Sequence, residues 1–160
     1  MGQRASNQTG LTLIELMIAV VIVGLLIAVA VPQYKNYLLK AKIGNALTAA
    51  DALKVTVGLC VTEAGTASGC SGGSKGIPAD VTAGNGTAEV STISATDGVI
   101  VLALTSGLGN GIGGKKICWG PTIMGGQVLW NASTNISASD LPAVVATITR
   151  GNTGTGPACS

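Results

Sequence analysis

The chain has 160 residues, of which 47% are hydrophobic, 10% charged and 2% aromatic, and its formal net charge is +2. That length allows one domain beside a membrane span, and the near balance of charge excludes a partner held mainly by electrostatics. There is no histidine, the acids Asp51, Glu63, Asp80, Glu89, Asp97 and Asp140 are scattered, and Cys60, Cys70, Cys118 and Cys159 lack zinc-site spacing. The expectation is therefore a protein that is not an enzyme, with no catalytic residue, cofactor or metal.

The first element in chain order is an apolar run from Gly10 to Val31. Its length matches the roughly 20 residues with which a helix crosses a bilayer. It carries one charge, Glu15, and a carboxylate inside such a helix costs about 2.5–3.5 kcal/mol even on permissive insertion scales. No Lys or Arg lies within the run, so an ionic partner has to come from outside it. A cut after Gly10 would create an α-amino group on Leu11 that could pair with Glu15 of a neighbouring copy. Two plainer readings compete. Ala28-Val29-Ala30 has the form of a secretory cleavage site, although the run exceeds the usual length and Glu15 interrupts it. A simple single span is the other, and Lys35, Lys40 and Lys42 beyond the run outnumber Arg4 before it, a bias towards a cytoplasmic C-terminus. The downstream cysteines argue instead for export to an oxidising compartment.

Gly10-Leu11-Thr12-Leu13-Ile14-Glu15-Leu16-Met17 resembles the class III signal sequence of type IV pilins and pseudopilins. The resemblance implies that a prepilin peptidase cuts between Gly10 and Leu11 and that the Leu11 amine is then methylated. It also implies that Glu15 guides assembly. The family usually has Phe where this chain has Leu11.

After Pro32, which predicts a kink, Leu39, Ile43, Ala46, Leu47, Ala50, Leu53 and Val57 recur at three- and four-residue steps. Polar residues fill the other faces, so an amphipathic helix is expected to about Val57, followed by a turn-rich loop over 58–86. Strand signals follow at 88–95, 99–105, 116–119, 127–131 and 143–149, with glycine-rich 107–114 as a hairpin connection. That connection lacks the Gly-Lys-Ser/Thr ending of a phosphate loop, since Gly114 leads to Lys115 and Lys116. The expected fold class is α+β, a long N-terminal helix packed on an antiparallel β-meander.

Leu59-Cys60 and the stretch from Gly69-Cys70 to Ile77-Pro78 resemble the αβ-loop of type IVa major pilins of the enterobacterial kind. Four cysteines allow three pairings. The αβ-loop resemblance implies Cys60–Cys70; with it we expect Cys118–Cys159, which would hold the last segment on the sheet. Many pilins have a cysteine beside a Trp-bearing strand and another near a Leu-Pro turn, but here Trp130-Asn131-Ala132 and Leu141-Pro142-Ala143 carry none.

The domain reading is a leader at 1–10, a transmembrane and filament-core helix at 11–32, an amphipathic helix at 33–57 and a head at 58–160. The function that the resemblance implies is a type IV pilus subunit, the major pilin, used in adhesion, twitching motility or DNA uptake. It would be held in the inner membrane as a prepilin and then polymerised into an extracellular fibre. Its partners would be further copies of itself, the prepilin peptidase and the inner-membrane assembly machinery. The alternatives are a minor pilin or type II secretion pseudopilin, and a membrane-anchored adhesin-like module. Lys75, Lys115, Lys116 and Arg150 are candidates for DNA contact, a host surface is a further candidate partner, and Ser160 is a glycosylation candidate because some pilins carry a glycan on a C-terminal serine. Asn85, Asn131 and Asn135 are read as turn residues, and Tyr34, Tyr37, Trp119 and Trp130 as core or interface anchors.

Overall fold

The computed structural model describes residues 10, 12–109 and 111–159. Helix α1 spans Leu13–Ala64. The chain divides into two compact units at Leu38/Leu39. In the first unit every residue of α1 is exposed, and one window of the helix reaches a mean hydropathy of 3.0, long and apolar enough to cross a membrane. Pro32 lies inside the helix, within this unit.

In the second unit α1 buries Leu39, Ile43, Ala46, Ala50, Leu53, Val57, Cys60 and Val61. These positions recur at three and four residues, the spacing that brings side chains onto one helical face. The helix outruns the expected end at Val57. Gly58 does not stop it, because Trp130 occupies the space beside that glycine, with its Cζ2 3.8 Å from where a Cβ would lie. The helix ends before Gly65, whose φ of +67° suits the left-handed residue that commonly follows a helix C-terminus.

The sheet is a four-stranded antiparallel meander in the order β1 (Val90–Thr96), β2 (Val99–Leu104), β3 (Lys116–Met124) and β4 (Gln127–Thr134). Ile100 pairs with Trp119 and Leu102 with Ile117, so these buried side chains share one face and form the core with the α1 stripe. In β1 the pairing slips between Val90 and Thr92, and this bulge lets both Val90 and Ile93 reach the core although they stand an odd number of positions apart. The 107–114 connection is packed rather than loose: it opens within a short 3-10 turn, Ser106–Leu108, and buries Leu108 and Ile112.

Three expectations need correction. Strand β3 runs past Trp119 to Met124 and includes Pro121. Its pairing with β2 stops at Ile100–Trp119, so Pro121 faces a strand only on the β4 side and its missing N–H costs no ladder bond there. Residues 143–149 are not a strand. Helix α2 spans Pro142–Ile148, with Pro142 in its first turn, and Val144 and Ile148 lie one turn apart in the core. Proline pre-sets the φ of that turn, and tertiary burial overrides the β-branched composition. Asn131 is not a turn residue either; it is a buried residue of β4.

The candidate assembly site and the clamped sheet edges

Glu15 stands in the first turn of α1, and its backbone N–H donates to Thr12 Oγ1 at 3.3 Å. Thr12-Leu13-Ile14-Glu15 has the spacing of a capping box, in which a threonine hydroxyl satisfies an otherwise orphaned amide. The Thr12 cap is legible in the sequence from this pattern. The cap fixes the turn that carries Glu15, and a carboxylate in a first turn is favoured by the helix dipole. The Glu15 carboxylate forms no ion pair among the described residues. Gly10 is exposed, while Arg4, Leu11 and Ser160 lie outside the described residues. Chemically, the first unit presents a shaft of exposed apolar side chains with one carboxylate near its start.

In the head, each outer strand of the meander is covered by a segment that a disulfide ties down. Cys60 and Cys70 are bonded, with Cα atoms 5.9 Å apart. Beyond Cys70 the loop lies along β1: Gly72 N–H donates to the Ala95 carbonyl at 2.9 Å, the Ala95 N–H donates to Asp80 Oδ1 at 3.0 Å, and Val81 bridges to Ile93. A Cβ at Gly72 would collide with the Asp80 carboxylate, so glycine is what lets loop and strand approach.

Cys118 and Cys159 are also bonded, with Cα atoms 5.7 Å apart. The segment before Cys159 runs along β4, held by two asparagines. Asn152 presents its side-chain amide to Ala132 as a neighbouring strand would, with Oδ1 accepting the Ala132 N–H and Nδ2 donating to the Ala132 carbonyl, both at 2.7 Å. Buried Asn131 accepts the N–H groups of Thr153 and Gly154 at 2.8 Å each and donates to Thr122 Oγ1 at 3.1 Å. The edge roles of Asn152, Asn131 and Asp80 are not legible in the sequence, because an edge clamp is defined by what lies across space. Trp119 is buried under Lys54, whose Nζ is 4.5 Å from the ring centroid and 3.2 Å from Asp51 Oδ1. Of the candidate DNA contacts, Lys75 lies in the covering loop, Lys115 just before β3, Lys116 at its first position, and Arg150 just after α2.

A capped apolar helix with one early carboxylate is thus followed by a head in which a striped helix packs on an antiparallel meander. The family comparison makes this specific. The pilin model, described as bacterial filament, matches residues 40–146, and the prokaryotic N-terminal methylation motif matches residues 5–31. The chain belongs to the pilin family. It is similar to prepilin peptidase-dependent protein D of Escherichia coli, 41% identical over 60% of this chain and 63% of that one, just under two thirds of the relative's length. A fimbrial protein of Eikenella corrodens is 32% identical over 85% of this chain and 89% of its own. The solution structure of the major type IV pilin PpdD from enterohemorrhagic Escherichia coli superimposes with a TM-score of 0.60 at 29% identity, covering 79% of this chain and 92% of that one.

Proposed function

We propose that this chain is the major subunit of a type IV pilus, made as an inner-membrane prepilin and polymerised into an extracellular fibre. The observation that carries the reading is the capped Glu15 at the head of an exposed apolar helix, within a residue range matched by the N-terminal methylation motif. In this reading prepilin peptidase cuts between Gly10 and Leu11, the Leu11 amine is methylated, and residues 11–32 pass from bilayer to fibre core. Glu15 then pairs with the amine of an adjoining subunit. Its charge is tolerable in an apolar surrounding only with such a partner. Similarity to a relative named as a type IV major pilin protein in Neisseria gonorrhoeae, 32% identical over 83% of this chain, supports the major-subunit reading.

The deciding experiment is electron microscopy of fibres sheared from the source cells, with mass spectrometry of their subunit. Abundant fibres built from a chain that begins at methylated Leu11 are expected. A mature N-terminus at Val31, or the chain as a trace component of fibres built from another protein, would overturn the proposal.

A further inference from the structure

An asparagine side chain can react with the backbone that follows it. The next residue's amide nitrogen loses its proton to base and attacks the side-chain carbonyl carbon, and the side-chain nitrogen leaves as ammonia. Water then opens the cyclic imide at one of its two carbonyls, giving aspartate or isoaspartate. The sum is an amide and water going to a carboxylate and ammonium, with no oxidant or reductant. Glycine in the next position removes the Cβ that would hinder ring closure. A following N–H already held in a hydrogen bond resists the attack, because that bond has to open first.

Six asparagines lie among the described residues, and after five of them the attacking N–H is held. Asn36 and Asn45 are inside α1, where the next amide belongs to the helix ladder. After Asn131, the Ala132 N–H donates to Asn152 Oδ1; after Asn135, the Ile136 N–H donates to Thr134 Oγ1; after Asn152, the Thr153 N–H donates to Asn131 Oδ1. Even Asp97-Gly98, which could close the same ring by losing water, has its Gly98 N–H on the Cys70 carbonyl at 2.8 Å. Asn85-Gly86 is the exception. Residues 82–88 are exposed, and the Gly86 N–H donates to no group among the described residues. A turn over 82–85, with Gly84 at φ +92°, closes through the Asn85 N–H on the Thr82 carbonyl at 3.1 Å and stops there. The Asn85 Nδ2, the atom that would leave, donates to Thr82 Oγ1 at 3.1 Å.

We propose that Asn85 is a self-modifying site: in the folded protein the Gly86 nitrogen converts it to aspartate and isoaspartate, so that each subunit gains a carboxylate as it ages. Between Gly76 and Gly114 the charged residues are Asp80, Glu89 and Asp97, all acidic, so the new carboxylate joins a stretch of like charge and lowers the formal net charge of +2 by one. The isoaspartyl product also routes the chain through the side chain and lengthens the backbone by a methylene. Beside Gly86 there is no slack for it, since even a Cβ there would collide with the Val90 carbonyl. Just beyond, the Val90 N–H donates to Thr87 Oγ1 at 3.2 Å and the Glu89 carbonyl accepts the Thr105 N–H at 3.0 Å. The lengthened loop therefore loosens the start of β1. The site stands independently of the filament reading above.

The full-length protein, aged in heavy-oxygen water at mildly alkaline pH, then reduced and cut after Glu63 and Glu89 in acid buffer, tests the site. Residues 64–89 contain no asparagine besides Asn85. That peptide should take up labelled oxygen and split into two acidic isomers, about tenfold or more faster than the peptides carrying Asn131, Asn135 or Asn152, whose N–H bonds must open first. The rate should rise with pH, as the attacking nitrogen gives up its proton. Asn85→Gln should stop the reaction, because its longer side chain closes a larger ring poorly. Hydrogen exchange at the Val90 amide should quicken in the aged protein and stay unchanged in aged Asn85→Gln. Conversion absent from the folded protein, seen only after unfolding in urea, or no faster than at Asn131 overturns the proposal. Unchanged exchange at Val90 in fully converted protein overturns the coupling to β1.

Discussion

One helix lives under two regimes. Up to Leu38 the large apolar side chains of α1 are 41–76% exposed, whereas Leu39 is only 4% exposed and every buried position of the helix lies from there onward. The change comes without a break in the helix, although polar and charged residues enter it from Gln33 onward. What changes is the distribution of apolar residues: all around the helix before the boundary, on one face after it. A helix apolar on every side finds no complete partner in a small head and needs lipid or other helices. A striped helix is satisfied by one sheet. On the proposed reading, the chain carries its folding and its assembly on successive lengths of a single element.

The contrast predicts which substitutions act where. Glu15→Ala should have the largest effect, loss of nearly all fibres with subunit accumulating in the membrane, because it removes the carboxylate that an incoming amine would meet. At 4 Å and an effective dielectric near 20 such a pair is worth about 4 kcal/mol before desolvation. Immunoblots of sheared and membrane fractions measure it, and fibres at normal yield would show that Glu15 takes no part in assembly.

Cys118→Ser belongs to the head regime. Releasing a 41-residue separation should cost roughly 4 kcal/mol on the chain-entropy model. Limited proteolysis should then clip residues 153–160 first, and a variant as resistant as the native head would contradict the clamp.

The sharpest test of the boundary sets Ile43→Ala against Leu26→Ala. Ile43 is fully buried, so its truncation should destabilise the head by about 2–5 kcal/mol, while Leu26→Ala should leave head unfolding within about 0.5 kcal/mol of the original. Denaturant unfolding followed by the fluorescence of Trp119 and Trp130 reads both, and equal effects would erase the distinction between the two lengths.

A smaller effect, about 1–3 kcal/mol, is expected for Asn152→Ala, which strips two hydrogen bonds from Ala132 and leaves part of the β4 edge open. Hydrogen exchange at the Ala132 amide should rise well above that at Ile117 in the central strand; unchanged protection would mean that the asparagine is not the clamp.

The two sheet edges show how far sequence reading reached. Alternation in 99–105 and the α1 stripe carried enough information to place strand, helix and core face, and the Gly10–Glu15 spacing pointed to the candidate assembly site. Cover for the edges was not legible in the same way. Asp80 and Asn152 stand in stretches rich in Gly, Ser and Thr that look like unstructured connections, and only their position opposite Ala95 and Ala132 makes them strand substitutes.

Properties set by neighbours along the chain were determined by the sequence itself: an apolar shaft, a carboxylate near its start, a stripe that begins at Leu39, and strands with alternating burial. Tertiary structure decided whether 143–149 became helix or strand, because that choice turned on whether Val144 and Ile148 could reach the core from one helical face. It also carried α1 through Gly58 by packing Trp130 there, and admitted Pro121 to a strand by ending the β2 ladder two residues earlier. Local propensities differ by only about 1 kcal/mol or less per residue for most side chains, and the burial of one core side chain outweighs that.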